Sequence, residues 1–266
     1  MPVLCLHGFM DHGLTFTWLL EALQWQAEAW DARGFGQSEW LHRAAYYHFF
    51  DYLRDLRTWV THTRQQTGAK QVLLLGHSMG GMIASLYAGI YPEDVAALIN
   101  LEGWMIPERP VTDMPERLKK WLAQCEDLTP FAVHDDADAA RERMLRQDPR
   151  LTSEQVKLLS EPILEFASSG VRWRHDPLHR TRSPQPFRLD QAVACWQHIR
   201  APQLLIYGTE SPILQLPDWD VRMAAFGVSD PERNVTLRAI ENAGHNVHLH
   251  QSRRVSEVIK DWWSNL

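Results

Sequence analysis

The chain has 266 residues, 45% hydrophobic, 23% charged and 10% aromatic, with 14 Gly and 15 Pro. That balance excludes a disordered, collagenous or low-complexity protein and is long enough to bury one sizeable core, as one large domain or two small ones. A net charge of −6, from 27 Lys and Arg against 33 Asp and Glu, argues against a nucleic-acid-binding protein.

Twelve tryptophans are a heavy load, and indoles gather where an apolar body meets a polar edge, as in ligand pockets. The cysteines, Cys5, Cys125 and Cys195, are odd in number and widely spaced. Neither a disulfide framework nor a zinc site is therefore expected, and a reducing cytoplasm fits best. No apolar run approaches the roughly 20 residues of a membrane helix, so no membrane span is expected. The first residues lack the basic lead-in and cleavage site of a signal peptide.

In chain order, the apolar run Val3–Leu6 predicts a buried strand starting almost at the first residue. A helix over residues 14–23 follows, then a strand over 26–30 that ends in a loop marked by Gly34 and Gly36. A helix over 47–67 stops at Gly68. The strongest strand, 71–75, breaks at Gly76 and turns into a helix over 79–88 whose small residues can pack closely on a sheet. Val95–Leu101 is another buried strand. From Trp104 to Ile199 only helical or irregular stretches are visible, with proline clusters near Pro107 and Pro184. Strands return at 204–207 and Val235–Ile240, and an amphipathic helix over 253–263 closes the chain. Short apolar runs alternating with amphipathic ones predict an α/β fold, a mostly parallel sheet covered by helices. The expected domains are a core of residues 1–103 and 200–266 interrupted by a helical cap of 104–199.

Chemistry concentrates at Gly76-His77-Ser78-Met79-Gly80, between the strongest strand and a helix. A serine there sits on a sharp turn, its hydroxyl above the sheet, with small residues on both sides letting strand and helix approach. Three further matches occur in order: His7-Gly8-Phe9-Met10 after the first strand, Asp31-Ala32-Arg33-Gly34-Phe35-Gly36-Gln37-Ser38, and Ala243-Gly244-His245 after the last strand. With these four motifs the sequence resembles the α/β-hydrolase superfamily, from Val3 to the closing helix. Leu101-Glu102-Gly103 and His245-Asn246-Val247-His248 are similar to a serine hydrolase-like branch.

The resemblance implies Ser78 as nucleophile, His245 as its base, and the backbone N–H groups of Phe9 and Met79 as the oxyanion hole. The acid is open between two residues. Most of the family places it after the strand that follows the cap, where Ser211 stands at the usual position and Glu210 one residue early. A second location, at the end of the strand before the cap, holds Glu102, which is preferred because a carboxylate ending a buried strand needs a partner such as an imidazole. The run His245, His248, His250 also admits a metal cluster, although packing roles for His248 and His250 are the simpler reading, as for His77.

The expected activity is hydrolysis of a carboxylic ester or related acyl bond, with no cofactor, on a small-molecule substrate. Carbon–carbon bond hydrolysis and non-catalytic ligand binding on the same fold are the alternatives. Met10 and Trp104 are candidates for an apolar pocket, with Trp121, Trp173 and Trp196 nearby in the cap. Arg172, Arg174, Arg180, Arg182 and Arg188 crowd one stretch; they either recognise an anionic substrate group or balance the acidic residues Asp135, Asp136 and Asp138. Relatives usually carry two strands before the His-Gly loop. About six strands are thus expected instead of eight, leaving an edge strand near Gln26 and Trp30 to be shielded by a loop or by a second copy in a homodimer. The other reading is that Met1 is not the true start.

Overall fold

The computed structural model describes residues 1–42 and 45–266. Six parallel strands make the main sheet: β1 (Val3–Leu6), β2 (Glu28–Ala29), β3 (Val72–His77), β4 (Val95–Leu101), then the two late strands Gln203–Gly208 and Val235–Ile240. Apolar residues alternate between two cores, one on each face. Leu4 and Leu6 of β1 join one cluster with Val72 and Leu74, whereas Val3 and Cys5 join the other with Leu73 and Leu75. Helices α1 (Thr17–Leu23), α2 (Phe49–Thr67) and α3 (Met79–Ile90) connect the early strands. α2 ends at Gly68, whose φ of 70° is the left-handed conformation that glycine adopts without strain.

Between β4 and the next sheet strand run α4 (Met114–Glu126), α5 (Ala137–Gln147), α6 (Ser153–Ser160), a hairpin of β5 (Leu164–Ala167) and β6 (Gly170–Trp173), and α7 (Leu189–Trp196). The hairpin departs from the helical or irregular expectation for this stretch. Its strands are only four residues long, too short for a clear alternation in sequence. α7 also differs: it packs on α3 so tightly that a methyl on Gly89 would lie 2.0 Å from the Cys195 carbonyl oxygen. Residues 189–196, expected in the cap, thus belong to the layer that covers the sheet.

The late strands are β7 (Gln203–Gly208) and β8 (Val235–Ile240), with α8 (Trp219–Phe226) between them; the short α9 (Val247–His250) and α10 (Ser252–Ser264) follow. Strand order is β2-β1-β3-β4-β7-β8. The chain reverses its direction of travel across the sheet between β1 and β3, and open α/β sheets place ligands outside the carboxyl ends of strands at such a point. The edge near Gln26 and Trp30 is shorter than expected: β2 has two residues, Trp30 stacks on Trp59 of α2 at 5.7 Å, and the Trp59 indole donates to Glu28 at 2.8 Å. A two-residue edge offers little to pair with. Cys5, Cys125 and Cys195 are free thiols. Among the described residues, no helix is long and apolar enough to cross a membrane.

Candidate active site

Sheet register brings the chemistry together. His77 and Leu101 are paired across β3 and β4, so Ser78 and Glu102 are the next residues on adjacent strands. Leu101 carbonyl accepts from the Ser78 N–H at 2.9 Å and Ile206 carbonyl from the Glu102 N–H at 3.0 Å. Ser78 has φ 51° and ψ −115°, the strained elbow that lifts its hydroxyl off the sheet. That turn requires glycine behind it: a methyl on Gly80 would lie 2.0 Å from the Leu6 carbonyl oxygen, and one on Gly76 2.5 Å from that of Gly80.

His245 follows β8 and bridges the two residues. Its Nε2 is 2.9 Å from Ser78 Oγ and its Nδ1 is 2.6 Å from Glu102 Oε2. A carboxylate only accepts, so Nδ1 carries the proton and Nε2 is free to accept from the serine hydroxyl. Glu102 is wholly buried and takes two more hydrogen bonds, from the Gly208 N–H at 2.7 Å and the Ser211 hydroxyl at 2.6 Å. Three donors on one buried carboxylate meet the cost of burying its charge. Glu210 is exposed, ion-paired with Arg150, and distant in role from His245.

Two supporting residues were not singled out in the sequence. Ser211, at the position where the resemblance would most often place the acid, donates to Glu102 at the end of the neighbouring strand. Asn100 ties the end of β4 to α3, donating to Ser85 Oγ at 2.6 Å and accepting from the Gly103 N–H at 2.6 Å. A serine at the usual acid position was the available signal for the first; nothing in the sequence marked the second. His77 does more than pack: its Nε2–H donates to the His245 carbonyl at 3.0 Å, holding the main chain of His245.

The loop after β1 closes on the elbow, since a methyl on Gly8 would lie 2.8 Å from His77 Nδ1 and 3.4 Å from Ser78 Cβ. Asp31 anchors this loop by accepting from the Gly13 N–H at 2.8 Å, and His7 Nε2 accepts from the Ala32 N–H at 2.9 Å. Burial lowers the His7 pKa, consistent with that neutral, accepting imidazole.

The run of histidines does not converge. His248 Nε2 lies 2.8 Å from Thr15 Oγ1, and His250 is 2.8 Å from Asp148. Burial, then the charge of His245, pushes His248 down to about 3. A different trio, Asp11, His77 and His248, places its donor atoms within 4.8 Å of one another and is the grouping of metal-ligating type at this site.

A cavity of about 440 Å³ opens above Ser78 and Met79, walled by Phe9, Tyr46, Tyr52 and Ile106 among others. Phe9 is half exposed and meets Phe35 and His179 edge to face. Neither Met10 nor Trp104, the residues expected to line the pocket, does so. Met10, at φ 59°, faces a separate cavity with Trp173. Trp104 is fully buried between Trp219 and Phe226, because residues 101–104 still run within the core. Trp196 likewise stacks on Phe226 at 4.4 Å, and Trp121 meets Tyr46 edge to face. The wall is built of tyrosine, methionine and phenylalanine instead.

Four arginines of the basic stretch have local partners. Arg172 pairs with Glu165 at 2.7 Å, Arg174 donates to the Gly36 carbonyl, Arg180 to that of Pro130, and Arg188 pairs with Asp190 at 3.2 Å. The acidic stretch is occupied elsewhere: Asp136 caps α5 and Asp138 pairs with Arg141.

The profile of a known family, described as alpha/beta hydrolase fold, matches residues 1–251. The chain belongs to that family. Within it, the chain is 26% identical over 270 residues to a serine hydrolase-like protein of Danio rerio, covering 98% of this chain and 81% of the relative. It is 42% identical to the Sus scrofa 1-acylglycerol-3-phosphate O-acyltransferase ABHD5 over 66 residues, 24% of this chain and 19% of that one. Among solved structures it resembles the thioesterase domain from the curacin biosynthetic pathway at a TM-score of 0.83 and 25% identity, over 97% of this chain and 90% of that one. The six-stranded parallel sheet with flanking helices is the fold of this hydrolase family.

Proposed function

We propose that this protein is a serine hydrolase that cleaves a carboxylic ester or a related acyl bond, with Ser78 as nucleophile, His245 as base and Glu102 as the acid partner. The observation that carries the reading is the hydrogen-bonded chain Glu102–His245–Ser78 opening onto an apolar cavity. The hydrolase family membership and the relative named serine hydrolase-like support it.

In this reading Ser78 Oγ attacks the carbonyl carbon as His245 Nε2 takes its proton, and the imidazolium is stabilised through Nδ1–H by Glu102. The carbonyl oxygen becomes an oxyanion, for which the N–H groups of Met79 and Phe9 are the donors; one such donor is typically worth about 3 kcal/mol of barrier. His245 then returns the proton to the leaving alcohol, leaving an acyl group on Ser78. Water, deprotonated by His245, releases the acid and restores the hydroxyl. The substrate is a small molecule with an apolar acyl or aromatic part, matching the cavity wall. The reaction needs no cofactor, and a cytoplasmic location fits the free thiols.

A fluorophosphonate probe phosphonylates an activated serine. Labelling of the folded wild type that is lost in Ser78→Ala is the expected result; a folded wild type that is never labelled overturns the reading.

A further inference from the structure

A second cavity, of about 550 Å³, abuts the one above Ser78. The two share Phe49, Met82, Ile106, Pro107 and Ser183 as a common wall, so the route between them runs past side chains of largely apolar character. Together they fill the upper end of the ~300–1,000 Å³ range of small-ligand sites. The second has an apolar wall that includes Leu53, Leu86 and Phe187, but its lining is more polar than that of the first, and Arg109 and Arg117 face it.

These two arginines differ from their neighbours. Arg188, also on this cavity, is neutralised by Asp190 and Glu108. Arg109 and Arg117 have no ion-pair partner among the described residues, and Arg117 donates only to the Ser183 carbonyl at 2.9 Å. Burial lowers the Arg117 pKa, and the adjacent positive charges of Arg182 and Arg109 lower it further, against Asp113 alone. Arg109 is exposed and Arg117 half-buried, and neither is ion-paired with a carboxylate among the described residues, so an anion placed between them relieves their mutual repulsion and accepts from their guanidinium N–H groups.

We infer that the second cavity is a subsite for the far end of an amphiphilic substrate, an apolar chain that reaches from Ser78 to an anionic carboxylate or phosphate held by Arg109 and Arg117. The inference deepens the hydrolase reading by naming a substrate class, and it rests on that reading only for which end of the chain reacts. The anion belongs either to the acyl chain, as a second carboxylate, or to the alcohol, as a phosphate.

The test is equilibrium binding to Ser78→Ala protein of three ten-carbon probes: decanoate, decyl phosphate and decanol. Because turnover plays no part, failure of fluorophosphonate labelling leaves these affinities where they are, and the two ideas fail separately. One or both anions bind at least about tenfold more tightly than decanol, the scale of a hydrogen bond to a charged group. R109Q/R117Q erases that preference and still binds decanol, which shows that the fold is intact, and Arg117→Lys keeps most of it. Tighter decyl phosphate points to the phosphate source, and tighter decanoate to the carboxylate. Equal affinities for anions and alcohol, or an anion preference that survives in R109Q/R117Q, overturns the inference.

Discussion

Glu102 carries more of the site than its side chain alone indicates. It sits at φ 58°, and three of the five non-glycine residues with positive φ among those described, Met10, Ser78 and Glu102, lie at the candidate site. Each such residue costs about 1–3 kcal/mol and persists only where its surroundings over-determine it. Glu102→Gln should lower kcat by about 10⁴, since an amide at that position favours the wrong histidine tautomer. Glu210→Gln, which removes only the exposed pair with Arg150, should change kcat less than about fivefold. Turnover of an activated ester by the two variants measures this, and a large loss in Glu210→Gln alone contradicts the assignment. Ser78 and Glu102, each just beyond a strand end, and His245, in the loop after β8, stood out in sequence as candidates because each lies inside a local motif. The hydrogen bonds of Ser211 and Asn100 did not, because they join Ser211 to the end of β4 and Asn100 to α3, contacts that no local pattern reveals.

At the scale of elements, the close approach of β1, β3 and α3 is what aims Ser78. Gly80 lies against the Leu6 carbonyl with no room for a methyl, and both partners are backbone, which cannot swing aside. Gly80→Ala should lower stability by at least about 2 kcal/mol, the cost of forced overpacking. Denaturant unfolding monitors this, and an unchanged midpoint rules the constraint out. Strong, long elements were legible: the apolar β3 and the small-residue α3 declared themselves by composition. The hairpin of β5 and β6 did not, because so few residues define no period, and β2 was placed within 26–30 but is only two residues long. Trp104 misled for a related reason: a tryptophan next to a site looks like a pocket residue until the sheet places it under α8.

Across the whole molecule, the segment between β4 and β7 is tied to the core through buried polar contacts. His12 Nε2 meets the Leu159 carbonyl at 2.8 Å, Gln155 donates to the Leu249 carbonyl at 2.8 Å, and His250 holds Asp148 at 2.8 Å. Burial opposes ionisation of Asp148, yet hydrogen bonds from His250 and Asn246 bring it down to about 2. Burial also holds His175 at about 4, His179 and His248 at about 3, and His77 well below its ordinary value. A histidine kept neutral in the fold takes up its proton only on unfolding, so its contribution is intact above about pH 6.5 and is lost as pH falls from there toward 3–4. Asp148 adds a loss between about pH 4 and 2. The melting temperature should therefore fall steadily from pH 7 to pH 5, and a flat or rising profile over that range contradicts this account of the buried histidines. The central claim, acyl transfer through Ser78, is tested most directly by quenching the enzyme with acid during turnover of an activated ester and weighing its peptides. The peptide containing Ser78 should gain the mass of the acyl group; rapid turnover with that peptide unmodified, or the acyl group found on another residue, would contradict it.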